Sequence, residues 1–131
     1  PLSYTGARIG GQETGLEAAP ELGRTAYSTF IDVFAQQSQS LAVDLSGVVD
    51  LAPGGWYELE LVRQPALRAD TVDVAIAVPD GYEIVRTRGG LEVGADGRAT
   101  GTVALNETTT VGVKIALEPG AGLWSRLRSG A

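Results

Sequence analysis

Two glutamates on one predicted strand are the residues whose spacing could support hydrolytic chemistry. Glu58 and Glu60 lie in the segment from Trp56 to Leu61, where apolar and acidic residues alternate. Successive side chains of a strand point to opposite faces, so both carboxylates fall on one face, about 7 Å apart. Glycoside hydrolases use carboxylate pairs at separations of that order. The solvated side of a sheet carries the same pattern, and no sugar-binding motif accompanies it, so the structural interpretation is preferred.

Other acidic and polar residues allow two further hypotheses. Asp70, Asp73 and Asp80 could supply oxygen ligands to Ca²⁺, but their spacing matches no calcium-binding loop. Asp80 followed by Gly81 is sufficiently explained as turn chemistry. Asn106–Thr108 matches the acceptor pattern for N-glycosylation. The same three residues are a natural hairpin turn, and the turn interpretation is preferred.

Absent residue types restrict the chemistry further. The chain contains no histidine, cysteine or methionine, which excludes an imidazole base, a thiol nucleophile, a disulfide and a thiolate metal site within it. Lys114 is the only lysine, and a Ser–Lys dyad is conceivable. A lone lysine on a strand face more often protects a sheet edge or aids solubility. We therefore expect no enzyme, no cofactor and no metal site.

Aromatic residues carry the best binding hypothesis. Trp56 follows two glycines at the start of a predicted strand and points away from Tyr57 and Leu59, which makes it a candidate exposed platform. Tyr82, in a turn, and Trp124, near the carboxy terminus, are the other candidates. Such rings could contact a sugar or a protein partner. The alternative is that Trp56 covers one end of the fold or pairs with an aromatic residue across strands.

Alternation of apolar and polar residues predicts the elements that position these side chains. In the segment from Trp56, Tyr57, Leu59 and Leu61 share one face, and the glutamates share the other. The other clearly alternating segments are Leu41–Leu51, Thr71–Val78 and Thr110–Leu117. About eight or nine strands at intervals of roughly ten residues are typical of a sandwich. We predict an all-β, immunoglobulin-like antiparallel β-sandwich over residues 1–118.

Three segments do not show clear alternation and are interpreted separately. Residues 119–131 form a separate carboxy-terminal tail, in which Leu123, Trp124 and Leu127 have a spacing compatible with one helical stripe. Ala18–Gly23 contains a proline and a glycine and is expected to be a loop. Thr25–Phe34 is rich in aromatic and β-branched residues and is expected to be a strand.

Charge and hydropathy limit the partners. The net charge is −6 and the isoelectric point is near 4.5, which argues against a nucleic-acid-binding protein. No apolar run approaches the roughly 20 residues of a spanning helix, so we expect no membrane-spanning segment in this chain. No signal peptide is visible, and the lack of methionine, including at position 1, indicates a processed chain or a fragment.

Four segments taken in order resemble a known family: ELGRTAYSTFIDV (Glu21–Val33), VDLSGVV (Val43–Val49), GGWYELELVRQPAL (Gly54–Leu67) and VAIAVPDGY (Val74–Tyr82). Over roughly residues 3–117 the chain resembles the carboxy-terminal β-rich region of the actinobacterial proteins grouped as domain of unknown function 4012. These strand and turn patterns are moderately specific.

The resemblance implies a location rather than a reaction. Proteins of that group look membrane-anchored, with most of the chain outside the cell, and carry no established catalytic residues. It implies an extracellular module, tethered through a segment outside this chain, whose partners are other domains of the parent or a cell-surface protein. We therefore expect a non-catalytic structural or interaction module. The alternative is a carbohydrate-binding module for cell-envelope polysaccharide that uses Trp56 or Tyr82.

Overall fold

The computed structural model describes residues 2–119, and every regular element in that range is a β-strand. The all-β prediction is confirmed, with eleven strands in place of the eight or nine expected. The strands are β1 (Leu2–Ile9), β2 (Gln12–Thr14), β3 (Glu17–Glu21), β4 (Arg24–Ser28), β5 (Leu41–Gly47), β6 (Trp56–Leu61), β7 (Thr71–Ile76), β8 (Tyr82–Arg88), β9 (Glu92–Val93), β10 (Ala99–Ala104) and β11 (Thr109–Leu117).

The strands form four sheets, and all neighbouring strands in them are antiparallel. By its internal contacts the chain divides into two compact units, Pro1–Val49 and Asp50–Ala131. The division into a sandwich over residues 1–118 and a tail over residues 119–131 stays a prediction. The helical stripe predicted around Trp124 lies outside the described residues.

The first unit holds the sheet β2-β1-β5 and the hairpin β3-β4. On one face of the sheet, Ile9 lies opposite Leu41 and Ala7 opposite Val43. On the other face, Arg8 Nη1 and Asp44 Oδ2 form an ion pair at 3.1 Å. Among residues 2–49 only Ala7 is buried, so little apolar surface is removed from water in this unit.

Two aromatic residues link the sheet of the first unit to its hairpin. The ring centroids of Tyr4, on β1, and Tyr27, on β4, are 5.9 Å apart and tilted by 40°. The backbone N–H of Tyr4 donates a hydrogen bond to the Tyr27 hydroxyl at 3.3 Å. The two tyrosines therefore pack against each other within the first unit.

The second unit contains two three-stranded sheets, β6-β11-β8 and β7-β10-β9, whose apolar faces share one core. Val111 and Val113 are fully buried at 0% exposure, and each such burial contributes roughly 1.5–3 kcal/mol. Val74 and Ile76 of β7 and Ala99 of β10 lie in the same core. The buried residues therefore come from both sheets, as in a β-sandwich.

The predicted facing of the central segment is confirmed. Tyr57, Leu59 and Leu61 pack against the core of the second unit. Glu58 and Glu60, which alternate with them, are on the exposed side. The alternation predicted the facing correctly because β6 buries only one of its two faces.

Two expectations about the first unit are wrong. The segment expected to be a loop, Ala18–Gly23, contains most of β3, which runs from Glu17 to Glu21. Pro20 is tolerated there because β3 pairs with β4 alone and needs no ladder donor on its other side. The strand expected over Thr25–Phe34 ends at Ser28. Beyond that residue the aromatic side chains have no neighbouring strand to pack against.

Candidate functional site

Trp56 is held at the start of β6 by a tight glycine turn. The backbone N–H of Ala52 donates to the Trp56 carbonyl at 2.8 Å. Gly55 has a φ of +79°, and a Cβ atom there would lie 2.8 Å from the Ile115 carbonyl oxygen. Glycine alone fits this backbone and this close approach. The turn therefore determines where Trp56 enters the sheet.

Trp56 belongs to a row of three residues across the outer face of the sheet β6-β11-β8. Its cross-strand partner is Lys114 on β11, and the next partner along the row is Arg86 on β8. Directly opposed residues of antiparallel strands point to the same face. An indole and two cations therefore stand side by side on the exposed face. We call Trp56, Lys114 and Arg86 the outer row.

A second row lies beside the outer row. Glu58 on β6 is opposite Gly112 on β11, which is opposite Arg88 on β8. Because Gly112 has no side chain, Arg88 can extend across β11, and its Nη1 group donates a hydrogen bond to Glu58 Oε1. A Cβ on Gly112 would lie 2.7 Å from the Tyr57 carbonyl oxygen and 3.5 Å from Arg88 Cγ.

Arg88 also contacts the outer row. Its guanidinium carbon lies 3.7 Å from the centroid of the Trp56 ring, which is a cation–π contact. Trp56 is consequently half-buried and is not the bare platform that the sequence suggested. One face of its ring is covered by a cation that Glu58 holds in place.

The two cations of the outer row have no ion-pair partner among residues 2–119. Like charges directly opposite each other on a sheet are destabilising. Glu58 is engaged by Arg88. The outer row therefore presents two positive charges on a chain whose net charge is −6.

Tyr82 lies at a different place, in a groove of about 460 Å³. Turns form its walls: the Tyr82 N–H donates to the Pro79 carbonyl at 3.2 Å, and the Glu118 N–H donates to the Gly81 carbonyl at 3.0 Å. Tyr82 is 44% exposed. The charged residues that line the groove are Asp80, Glu83, Asp96, Arg98 and Glu118. The groove thus combines one aromatic ring with hydrogen-bonding groups of both signs.

The structure does not bring the predicted binding residues together. Trp56 pairs with Lys114, and Tyr82 pairs with Leu117, three residues further along β11. An odd separation on one strand places the two aromatic residues on opposite faces of the sheet. Trp124, the third candidate, lies outside the described residues.

Arg86, Arg88 and Gly112 are the site residues that the sequence analysis missed. A glycine in the middle of the alternating segment Thr110–Leu117 was the available signal, because an interior strand glycine often marks a close approach. The sequence pattern did not reveal the outward facing of Arg86 and Arg88, because a bulge interrupts the alternation in β8. Between the Lys114–Arg86 and Ile115–Ile84 pairs the register shifts, leaving Val85 unpaired.

Two expectations from the sequence, about a calcium site and about a membrane-spanning segment, are compared with the structure as follows. Within residues 2–119, no three acidic side chains come close enough to hold a metal ion, so Asp70, Asp73 and Asp80 are not gathered into a site. Asp73 instead accepts a hydrogen bond from Thr102 Oγ1 at 2.6 Å. The same range contains no helix with the length and apolar character needed to cross a bilayer.

Comparison with known proteins adds no relative. The chain matched no protein-family model, no curated protein and no solved structure. The similarity to the proteins of domain of unknown function 4012 therefore stays a hypothesis drawn from the residues quoted above.

Proposed function

We propose that this chain is a non-catalytic extracellular structural or interaction module of a larger bacterial cell-surface protein. The observation that carries the proposal is the segment between β4 and β5, which leaves large apolar side chains in water. Phe30 is 98% exposed and Phe34 is 71% exposed, with Val33 exposed between them. Soluble monomers rarely leave contiguous apolar patches uncovered, and such patches mark protein–protein contacts.

The energetic argument favours a partner at this segment. Fully burying one phenylalanine contributes roughly 1.5–3 kcal/mol, and within residues 2–119 neither ring is buried. Other domains of the parent protein, or another surface protein, would supply the missing contacts. The resemblance to domain of unknown function 4012 supports a cell-surface location in an actinobacterium.

A photo-crosslinking experiment in the parent protein tests the interaction role. Phe30 is replaced by benzoylphenylalanine, and Glu21, an exposed residue of β3, is replaced in a control variant. Irradiation of intact cells should yield an adduct, or an internal crosslink to another domain of the parent, from position 30 and not from position 21. Equal yields from both positions, or none from either, would overturn the interaction role.

Location is tested with a single introduced thiol, because the chain has no cysteine. Asp96→Cys places a thiol in the exposed turn before β10. A membrane-impermeant maleimide should label the Asp96→Cys parent on intact cells more strongly than it labels the unsubstituted parent. Labelling that requires lysis would contradict the extracellular assignment.

We further propose that the second unit is an immunoglobulin-like sandwich. Its support is the common core of two antiparallel three-stranded sheets. An experimental structure of the full chain provides the test. A barrel closed by hydrogen bonds between the two sheets would overturn the assignment.

The second candidate function is binding of cell-envelope polysaccharide. The groove beside Tyr82 favours it, because an aromatic ring with carboxylates and a guanidinium suits the hydroxyl groups and ring faces of a sugar. Tyr82→Ala should weaken glycan binding about tenfold or more, whereas Tyr82→Phe should retain most of it. A flat response of the parent chain across a glycan array would sink this candidate.

A further inference from the structure

We propose that the outer row, Trp56, Lys114 and Arg86, binds an oxyanion, carboxylate or phosphate, carried by an acidic polysaccharide. The inference rests on the carbohydrate-binding candidate and names its ligand class. It adds an oxyanion site on the outer face of the sheet β6-β11-β8, the face opposite to Tyr82, and leaves the groove beside Tyr82 as the candidate for neutral sugar contacts.

The first support is the register of the strands. Lys114 and Arg86 are cross-strand partners on one face, so their backbones are about 5 Å apart. Two positive charges so placed repel each other in the free protein. One oxyanion between them would turn that repulsion into two charge-assisted hydrogen bonds.

The second support is the neighbouring ion pair. Arg88 is held by Glu58, and its guanidinium lies over Trp56. Glu58 therefore compensates Arg88 and leaves the charges of Lys114 and Arg86 for a ligand. Gly112 has no side chain of its own, and the side chains of Arg88 and Glu58 meet above it, so the ligand lies along the outer row.

The third support is the chemistry of the row as a whole. Trp56 is half-buried and directly beside Lys114, so the row joins an apolar ring to a positive site. A sugar that carries a carboxylate or a phosphate matches both features, because its ring carbons can contact the indole while its oxyanion meets the cations. A neutral glycan would leave the two cations unused.

The test uses Trp56 as its own reporter. The chain has two tryptophans, and Trp124→Phe leaves Trp56 as the sole tryptophan, which is excited selectively over the tyrosines. The full chain is titrated with polygalacturonate and, separately, with dextran as an uncharged control. Polygalacturonate should change the emission of Trp56 saturably, with a Kd that rises with ionic strength. Dextran should produce no change.

Variants then locate the site. Replacing both cations, Arg86→Gln with Lys114→Gln, should weaken polygalacturonate binding about tenfold or more. Arg68→Gln, which removes an exposed arginine outside both the outer row and the groove beside Tyr82, is the matched control and should leave Kd unchanged. The single variant Arg86→Lys retains the charge. It should keep most of the affinity that the single variant Arg86→Gln loses. Thermal unfolding of each variant verifies that it is folded.

Each outcome decides the proposal. Inorganic phosphate should compete with polygalacturonate, and failure to compete would overturn the oxyanion site. Equal binding of dextran, or an unchanged Kd in the double variant, would overturn the inference and leave carbohydrate binding intact. Equal binding of poly-glutamate would replace the glycan with an acidic polypeptide. No binding of any glycan would remove the carbohydrate-binding candidate as well.

Discussion

The guanidinium carbon of Arg88 lies 3.7 Å from the centroid of the Trp56 ring, although the two residues are on strands separated by β11. The same side chain binds Glu58. One arginine thus spans the whole outer face of a three-stranded sheet and orders the tryptophan at its far edge. This relationship makes Trp56 a sensitive probe of that face.

Removal of this arginine should loosen Trp56. Arg88→Ala eliminates both a cation–π contact and an exposed ion pair, each worth about 0.5–1 kcal/mol. We expect a loss of roughly 1 kcal/mol in the free energy of unfolding, together with a red shift and stronger acrylamide quenching of Trp56 in a Trp124→Phe background. Arg86 forms neither the ion pair with Glu58 nor the cation–π contact with Trp56. Arg86→Ala should therefore leave the emission of Trp56 unchanged. Identical quenching of both variants would contradict the contact.

Gly112 should not tolerate a side chain. A Cβ there would lie 2.7 Å from the Tyr57 carbonyl oxygen, which is backbone and cannot rotate away. Gly112→Ala should therefore destabilise the protein by roughly 1–3 kcal/mol in chemical denaturation. Gly15→Ala is the control, because no atom lies within 4 Å of its added Cβ. Equal midpoints for the two variants would show that β11 can shift away from β6.

The core of the second unit should not accept a charge. Val74 is buried, so Val74→Asp should cost about 4 kcal/mol or more and unfold this unit. Asp73→Ala, on the opposite face, removes only the hydrogen bond from Thr102, worth about 0.5–1.5 kcal/mol. Urea denaturation followed by circular dichroism compares the variants with the parent chain. A Val74→Asp protein as stable as the parent would refute the facing of β7.

The two units should differ in local stability. Only Ala7 is buried in residues 2–49, whereas Val111 and Val113 are fully buried, so opening of the first unit exposes less apolar surface. Amide hydrogen exchange should be fastest in the hairpin β3-β4 and slowest in β11. Two-stranded hairpins are marginally stable by themselves. Protection of β3 equal to that of β11 would contradict this order.

Strands that bury one face were predictable from the sequence. In β6, Tyr57 and Leu59 face the core while Glu58 faces water, and alternation alone indicated this facing. The same is true of Val74 and Ile76 in β7. Period-two alternation is informative in such strands because a slip of one residue would place the apolar set in water.

β3, a strand without a buried face, was not predictable from the sequence. All residues of β3 are exposed, so no alternation marks it, and its existence depends on pairing with β4. Conversely, Phe30 and Phe34 have strand propensity but no partner strand, so β4 ends at Ser28. A high strand propensity shows that a segment can form a strand, and hydrogen bonding to a neighbouring strand determines whether it does so.

The candidate site was predictable only in part. The outward facing of Trp56 followed from alternation, and its covering by Arg88 did not. That contact depends on a long side chain crossing an intervening strand above Gly112. Sequence spacing contains no information about such diagonal reach, because it depends on the order of strands in the sheet.

The unpaired Val85 has a consequence for how β8 should be aligned with any related chain. Ile84 and Arg86 are two residues apart, yet Ile84 packs on the core and Arg86 lies on the exposed face. The bulge shifts the inward–outward alternation by one residue. The side chains before and after it therefore point as they would in a regular strand that lacked Val85. A homologue that lacks the residue at position 85 would therefore keep the same inward and outward sets without any gap in the architecture. Only an alignment that permits a single-residue gap inside β8 would superpose the arginines of the two chains.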